Sequence, residues 1–412
     1  MIYWVLLLIL GLTFLNLYFG KSVLYPPALF SAIWSVCLLG LIIAGDRFYP
    51  LSTASLLIFL MGVIAISIGG GVTRSLVLRR PERALVTSKV SPSRHNYVRR
   101  LLDWGLFVCI VGLPFYWQKA SAAALASGRA GFFAGVRQEN LVAEETLTSI
   151  SLLDNIVVLA ALLAPVVFFE NDGSRRQRWR TVIAVVLATA YGALTASKGS
   201  PIHLIIVLLV VYWLKVGRPS TSFIVILGIT CLGLFVVGII LINLIDLNVY
   251  EPIDLVRSGL AITPNYMLGS LVGFDRIFNR EQIVENTQSI SRGVLGIARK
   301  LGADVELPSI HAQYTMISNF ENTNTYTLYF SYIGDLGVAG TFVWMVILGM
   351  LLTYIYRAAL SKHPIAIVLY AVIADAIIFS IHAEHFLLGV NQYGKTLILL
   401  LFLYRLPQFK VR

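Results

Sequence analysis

Two stretches of this sequence hold arginines at spacings that suit the binding of an anion. Arg129 and Arg137 are about two helical turns apart in an alanine-rich stretch, so on a helix they lean toward a similar side. Arg276 and Arg280 stand at i and i+4, where like charges on a helix repel unless an anion lies between them. Arg257 precedes them in the same stretch. Because a planar guanidinium donates two parallel hydrogen bonds to phosphate, these five arginines are candidate phosphate ligands.

Ordinary ion pairing is the alternative for both stretches. Acidic residues close in sequence could neutralise each pair: Glu139 and Glu144 for the first, and Asp275, Glu281 and Glu285 for the second. Exposed ion pairs contribute only about 0–1 kcal/mol to stability. The two interpretations therefore differ in what an alanine substitution would do to a reaction at the site.

Ionisable residues also fall in apolar runs, where they are costly and mark functional sites by default. Asp335 lies near the start of one run, and His382, Glu384 and His385 lie in another. The His-x-Glu-His spacing differs from the helical His-Glu-x-x-His zinc motif, and no third ligand is evident, so neither a metal nor another cofactor is expected. A general base, a hydrogen bond to a substrate and a polar contact between helices remain as interpretations.

The composition indicates which elements must position these residues. Of the 412 residues, 58% are hydrophobic and 13% are charged, against roughly 45–50% and about a quarter in soluble domains. The apolar runs are long and continuous rather than alternating, which excludes a β-barrel. The three cysteines lie in apolar runs without metal-ligand spacing and are interpreted as small buried hydrophobes. The sequence predicts an all-α polytopic integral membrane protein, with residues 1–412 as a single transmembrane domain.

Eleven segments are long and apolar enough to cross a bilayer, which takes roughly 20 residues, and re-entrant helices in long loops could raise the number to about 14. The first begins Met-Ile-Tyr-Trp, without a basic n-region or a small-residue cleavage site, and is therefore expected to stay in place. The predicted spans are 2–20, 25–45, 51–71, 101–118, 151–170, 181–197, 201–216, 222–246, 330–356, 364–386 and 394–408.

The charge distribution gives these spans a direction. With the eleven spans, 20 of the 32 basic and 4 of the 21 acidic residues fall on one side, so that side carries +16 and the rest of the chain −5. The positive-inside rule makes the basic side cytoplasmic, including the loop 72–100. The net charge of +11 is therefore a topology signal rather than a sign of nucleic-acid binding. Two long segments, 119–150 and 247–329, fall on the external side and hold the candidate arginines.

Three motifs carry a resemblance to a known family. They are Tyr25-Pro-Pro-Ala-Leu-Phe-Ser-Ala-Ile-Trp34 at the second span, Ala196-Ser-Lys-Gly-Ser-Pro201 at a tight reversal, and Asn324-Thr-Tyr-Thr-Leu-Tyr-Phe-Ser-Tyr-Ile-Gly-Asp-Leu-Gly337-Val-Ala-Gly340. The last resembles an Asn-x-Tyr-Thr … Asp-x-Gly-x-x-Gly block. Together with the two long external segments, they resemble the oligosaccharide repeat-unit polymerases, the Wzy-type O-antigen polymerases.

This resemblance implies a GT-C-like polymerase/ligase fold in the bacterial inner membrane, with the active site facing the periplasm. The implied activity is a metal-independent glycosyl transfer that joins undecaprenyl-diphosphate-linked oligosaccharide repeat units into O-antigen or a related surface polysaccharide. The implied partners are that lipid-linked oligosaccharide, the bilayer, a chain-length regulator and a flippase, with no nucleic acid and no cofactor. The diphosphates would bind the five arginines named above.

The resemblance also suggests residues for the chemistry. Glu321 stands where the related O-antigen ligases carry a histidine, and His311 is the nearest upstream histidine, so Glu321, His311 and Asp335 are the catalytic candidates. The sugar-binding candidates are Asn324, Tyr326, His382 and His385. One departure is that Arg257 precedes Gly269 with one residue too many for the Arg-x10-Gly pattern described for the family.

Two other functions fit the sequence less fully. An O-antigen ligase or another polyprenyl-dependent membrane glycosyltransferase would use a similar donor. A lipid-linked oligosaccharide flippase is the alternative from another class, but transporters typically show inverted repeats, and none is visible between the halves of this chain.

Overall fold

The computed structural model describes residues 1–78, 92–128, 132–133, 135–139, 152–196, 199–243, 252–279, 289–300, 302–308 and 314–405. In chain order the helices are α1 (Ile2–Gly20), α2 (Pro26–Ala44), α3 (Thr53–Leu78), α4 (Pro92–Ala126), α5 (Leu152–Glu170), α6 (Arg175–Leu194), α7 (Ser200–Lys215), α8 (Thr221–Asn243), α9 (Pro252–Phe278), α10 (Arg292–Lys300), α11 (Leu328–Leu360), α12 (Pro364–Phe379) and α13 (Val390–Arg405). Strands β1 (Thr315–Met316) and β2 (Asn322–Thr323) form a small antiparallel hairpin.

The prediction of an all-α membrane protein is confirmed, since the hairpin is the sole sheet in the described residues. Each predicted span falls on a helix. Within the described part of the chain, six helices are long and apolar enough to cross a membrane, namely α1, α2, α3, α5, α8 and α11, while α7 and α12 are shorter apolar helices. The total of eleven spans stays a prediction.

Local sequence explains several helix ends. Pro26 and Pro27 open α2, where a missing backbone N–H costs no hydrogen bond. At the end of α1, Lys21 adopts the left-handed conformation with φ 54°, which stops the helix. The hydroxyl of Ser174 accepts from the backbone N–H of Gln177 and caps the start of α6.

The described residues pack as two compact units, each drawn from separate parts of the chain. Unit 1 comprises 1–85, 262–361 and 372–391, and unit 2 comprises 86–261, 362–371 and 392–412. Within unit 2, α4, α5, α6 and α13 share one hydrophobic core. There the Tyr191 hydroxyl donates to the Cys109 carbonyl at 2.8 Å.

In unit 1, α3 and α11 run parallel with their backbones in close contact. A Cβ atom on Gly69 would lie 2.1 Å from the Val346 carbonyl oxygen, and one on Gly349 would lie 2.5 Å from the Ile66 carbonyl oxygen. Both obstacles are backbone atoms of the opposite helix. Only glycine permits this approach, which is how transmembrane helices gain van der Waals contact without a hydrophobic driving force between them.

The helix α11 is broken near its start. Gly337 has φ 66° and ψ 177°, a conformation that side chains strongly disfavour, and the Thr341 hydroxyl donates to its carbonyl at 2.7 Å. The residues before the break, 328–336, therefore take a direction of their own. They include Tyr332 and Asp335, both of which bind polar partners described below.

The predicted external segment 247–329 is largely folded where it is described. It forms α9, with Pro264 inside the helix, then α10 and the hairpin. The predicted span 364–386 is too long by seven residues, since α12 ends at Phe379 and the chain then turns around Glu384.

Candidate functional site

One end of unit 1, here called the site end, gathers the polar residues of interest. It is the end where α2 finishes and where α3 and α11 begin, and it also holds the hairpin and the C-terminal half of α9. The loop 45–52 joins α2 to α3 and lies against the hairpin, because the backbone N–H of Tyr49 donates to the Ile317 carbonyl at 2.9 Å. The opposite end of α1 and α3, which carries Lys21 and Arg74, is called the basic end.

The predicted catalytic residue Glu321 forms an ion pair at the site end. Arg47 Nη2 lies 2.8 Å from Glu321 Oε1 and also donates to Asn265 Oδ1 at 3.0 Å. About 31% of the Arg47 side chain and 27% of the Glu321 side chain is exposed. Among the described residues, Glu321 Oε2 is buried and has no hydrogen-bond partner. This oxygen keeps its capacity to accept a hydrogen bond.

The predicted phosphate ligand Arg276 lies against the loop 45–52 that also carries Arg47. Its guanidinium carbon is 4.6 Å from the centroid of the Tyr49 ring, a cation–π contact. The Tyr49 hydroxyl in turn donates to Asn319 Oδ1 at 3.0 Å, next to the tip of the hairpin. Tyr49 therefore connects Arg276 to the loop between β1 and β2, which carries Glu321.

Beside Arg276, the buried carboxylate of Asp275 fixes the start of α3. Its Oδ1 accepts from the Ser52 backbone N–H at 2.9 Å, from the Ser52 hydroxyl at 2.5 Å and from Asn279 Nδ2 at 3.0 Å. Asp275 is 2% exposed. The carboxylate thus anchors the loop 45–52 to α9, which places Arg47 and Arg276 on a common support.

A cluster of aromatic rings packs beneath this loop. Trp34 and Phe59 lie 4.8 Å apart between centroids, Tyr329 lies 5.1 Å from Trp34, and Phe274 lies 5.6 Å from Phe59. All four side chains are almost fully buried. Rigid rings contributed by α2, α3, α9 and α11 limit the movement of the residues above them.

Two aromatic residues at the hairpin and just after it have very different exposure. Tyr326, a predicted sugar ligand, is fully buried and shares a 2.7 Å hydrogen bond with the Thr315 hydroxyl. Burial raises the pKa of its phenol, and the bond to Thr315 partly offsets this, so Tyr326 stays neutral and supports the hairpin from inside. Phe320, next to Glu321 at the tip, is 94% exposed.

Asp335, the second described catalytic candidate, has well-defined partners. Its carboxylate accepts from the Ser289 hydroxyl at 2.9 and 3.0 Å and from the Ile290 backbone N–H at 2.6 Å. These residues immediately precede α10. Asp335 therefore connects the first part of α11 to the start of α10. This structural role alone explains why a carboxylate is present at position 335.

The Glu384 carboxylate organises the turn after α12. It accepts from the backbone N–H groups of Phe386 at 2.7 Å, Leu387 at 2.9 Å and Leu388 at 2.7 Å, and from the Tyr332 hydroxyl at 2.7 Å. Glu384 is 2% exposed. Of the interpretations offered by the sequence, these hydrogen bonds support a structural one: Glu384 makes a polar contact that holds two chain segments together.

The neighbouring histidines, both predicted sugar ligands, are half-buried. The His382 ring is tilted against the Phe379 ring, with a centroid distance of 5.9 Å, and the His385 ring meets it edge-on at 6.3 Å. In the described residues, no group of three or more histidine, cysteine or acidic side chains could hold a metal ion.

The other predicted residues are distributed as follows. His311, Arg129 and Arg280 lie outside the described residues. Arg257 lies on α9 within unit 2, and Arg137 is exposed in the helical stretch 135–139, also within unit 2. Asn324 is half-buried just after β2 in unit 1. Of the predicted catalytic and phosphate-binding residues, Glu321 and Arg276 are thus the two that the structure brings to a common loop.

The sequence interpretation passed over Arg47, Tyr49 and Asn265. Arg47 lies in a short connector between the second and third predicted spans. A signal was present, because Arg47 is the one basic residue of a short connector that the charge count predicts to be external, where basic residues are few.

Comparison with protein-family models, with curated proteins and with solved structures finds no match to this chain.

Proposed function

We propose that this chain is a membrane glycosyltransferase of the repeat-unit polymerase type, which joins undecaprenyl-diphosphate-linked oligosaccharides at the external face of a bacterial inner membrane. The observation that carries the proposal is the pair of Glu321 and Arg47 next to the Tyr49–Arg276 stack. A carboxylate and two arginines on one rigid support are what a metal-free transfer from a lipid diphosphate requires.

In the proposed reaction, Arg47 holds the Glu321 carboxylate, and the partly exposed carboxylate takes the proton of the acceptor hydroxyl. The acceptor oxygen forms a bond to the anomeric carbon of the donor glycan while the bond from that carbon to the diphosphate breaks. The electron pair of the broken bond leaves with undecaprenyl diphosphate. Arg276 offsets the charge that develops on the diphosphate, and its planar fork suits two phosphate oxygens.

Geometry near the base also supports a carbohydrate substrate. Phe320 presents an exposed ring directly beside Glu321 in the chain. Arg47 donates to both Glu321 and Asn265, and Tyr49 donates to Asn319, two residues before Glu321 in the chain. Ligand sites generally combine such rings with a few well-placed polar groups.

The deciding experiment is extension of lipid-linked repeat units by the purified full chain in liposomes. The probe is undecaprenyl-diphosphate-linked glycan extracted from source cells that lack this chain. We expect a ladder of longer lipid-linked glycans, with or without EDTA. Glu321→Gln should abolish the ladder, while Arg178→Gln, a change at an exposed arginine of unit 2, should not.

Two results would overturn the proposal. If the lipid-linked glycan keeps its length but crosses the liposome bilayer, the chain is a flippase. If glycan moves instead to a lipid A acceptor added to the same liposomes, the chain is a ligase.

A further inference from the structure

A groove on the side of unit 1 lies at the far end of the helices from the proposed site. It has a volume of about 510 Å³ and runs between α1 and α3. Its walls are mainly apolar, formed by Leu12, Leu15 and Phe19 of α1 and by Ile64, Ile68 and Gly71 of α3. Cavities of roughly 300–1,000 Å³ are typical of small-ligand and cofactor sites.

The groove ends in positive charge. Arg74 lines its last turn at the basic end, and Lys21 follows α1 at the same end. The Arg74 guanidinium donates to the Phe19 carbonyl, one of the last carbonyls of α1, and lies 5.4 Å from the centroid of the Phe19 ring. Among the described residues, no carboxylate pairs with Arg74. A guanidinium has five N–H donors, so one bond to Phe19 leaves capacity for an anion.

The polar residues within the groove are already engaged. Asn16 Nδ2 donates to the Ser67 hydroxyl at 2.9 Å and to the Pro27 carbonyl at 3.4 Å. The Ser67 hydroxyl donates onward to the Val63 carbonyl at 2.7 Å. The described lining is therefore mainly apolar and suits an acyl chain, and its one charged side chain, Arg74, stands at the basic end.

We propose that the groove holds an anionic glycerophospholipid of the leaflet at the basic end, with one acyl chain along Leu15 and Ile68 and the phosphate on Arg74. Charge complementarity selects the lipid, because an arginine near the membrane surface attracts an anionic headgroup. The shape of the groove also favours such a lipid, since Arg74 stands at the end of an apolar groove that opens between the lipid-exposed helices α1 and α3. The assignment is independent of the proposed glycosyl transfer.

Gly71 offers a direct way to fill the groove. It lines the groove, and a Cβ atom added there would meet no other atom within 4 Å. A Gly71→Leu side chain should therefore occupy the channel without disturbing the fold. Arg74→Gln should remove the headgroup contact together with the hydrogen bond to the Phe19 carbonyl. Arg178→Gln, at an exposed arginine outside the groove, is the control for the loss of a positive charge.

The test is native mass spectrometry of the full chain released from nanodiscs of equal parts phosphatidylglycerol and phosphatidylcholine. The wild-type chain and Arg178→Gln should retain phosphatidylglycerol in preference, by about five-fold. Arg74→Gln should retain both lipids equally, and Gly71→Leu should retain neither. Thermal unfolding of each variant checks that the fold is intact.

Several outcomes would overturn the assignment. An unchanged preference in Arg74→Gln, or unchanged retention in a folded Gly71→Leu, would move the lipid elsewhere. Displacement of phosphatidylglycerol by inorganic phosphate would reduce the site to an anion site, and stronger retention of undecaprenyl phosphate at equal concentration would assign the groove to the polyprenyl carrier.

Discussion

Arg47 and Glu321 are 274 residues apart in the chain, yet their side chains meet at 2.8 Å, Nη2 to Oε1. The contact joins the connector after α2 to the loop between β1 and β2. Both side chains are about 30% exposed, so the pair should contribute little to stability, about 0–1 kcal/mol. Its position beside Arg276 and Tyr49 gives it a role in the proposed transfer instead.

The first prediction concerns this pair. Glu321→Gln should reduce extension of lipid-linked glycan by about 10²–10⁴-fold, the range usual for loss of a general base. Arg47→Gln should have a smaller effect, because it loosens the base without removing it. The double variant should be no worse than Glu321→Gln alone, which a double-mutant cycle of initial rates would reveal. Unfolding temperatures should hardly change, and fully additive rate losses would show that the two residues act separately.

The second prediction concerns the stack of Arg276 on Tyr49. Arg276→Ala should lower the extension rate by about 100-fold through the loss of a charge-assisted contact to the leaving diphosphate. Arg276→Lys should recover only part of it, since a point charge cannot reproduce the bidentate fork. Tyr49→Phe keeps the ring and should retain most activity, whereas Tyr49→Ala should not.

The matched control for Arg276 is Arg299→Ala, at an exposed arginine of the same long segment, which should extend glycan normally. Equal rates for Arg276→Ala and Arg299→Ala would exclude Arg276 from the diphosphate site and favour ordinary ion pairing for it.

The third prediction tests the contact between α3 and α11. Gly69→Ala and Gly349→Ala each place a methyl group against a backbone carbonyl, which cannot rotate away. Overpacking of this kind destabilises by about 1–3 kcal/mol or more. Gly71→Ala, two residues along the same helix with open space around it, should be neutral or slightly stabilising. Fluorescence-detected gel filtration after heating would rank the three, and equal melting temperatures would contradict the packing described.

The fourth prediction concerns the Glu384 turn. Glu384→Gln keeps the shape but replaces one acceptor oxygen with an NH2 group facing backbone N–H donors. Leaving buried donors unsatisfied costs about 1–3 kcal/mol. Tyr332→Phe removes a single donor and should cost less. Thermal melting should therefore fall in the order wild type, Tyr332→Phe, Glu384→Gln. A Glu384→Gln variant as stable as wild type would mean that the carboxylate is not the organiser of the turn.

Hydropathy predicted the helices well because each span is a local property. The runs at 2–20 and 201–216 end within one residue of α1 and α7. The prediction for 364–386 ran too far because the apolar run continues past Phe379, where the chain leaves the helix so that the Glu384 carboxylate can accept three backbone N–H groups. The Glu384 carboxylate is also held by the Tyr332 hydroxyl of α11, and a hydropathy window does not detect a contact between two helices.

The site was predicted only in part for a similar reason. Glu321 was found through the motif around it, and Arg276 through its charge and spacing. Arg47 and Asn265 acquire their meaning only when α9 and the hairpin fold over the connector after α2. Contacts between such distant segments leave no periodicity in the sequence.

The discontinuous composition of unit 1 has a consequence for biosynthesis. Roughly 250 residues separate the end of α3 from the start of α11, an interval of about 12–50 s at ~5–20 residues per second. During that time the glycine face of α3 is in the membrane before its partner has been made. Glu321 is made just before α11 and Glu384 after it, in both cases after most of unit 2 has been synthesised. Unit 1 is therefore begun first and completed almost last, and a ribosome that stalls before residue 321 leaves α1, α2 and α3 without the later residues that complete the proposed site.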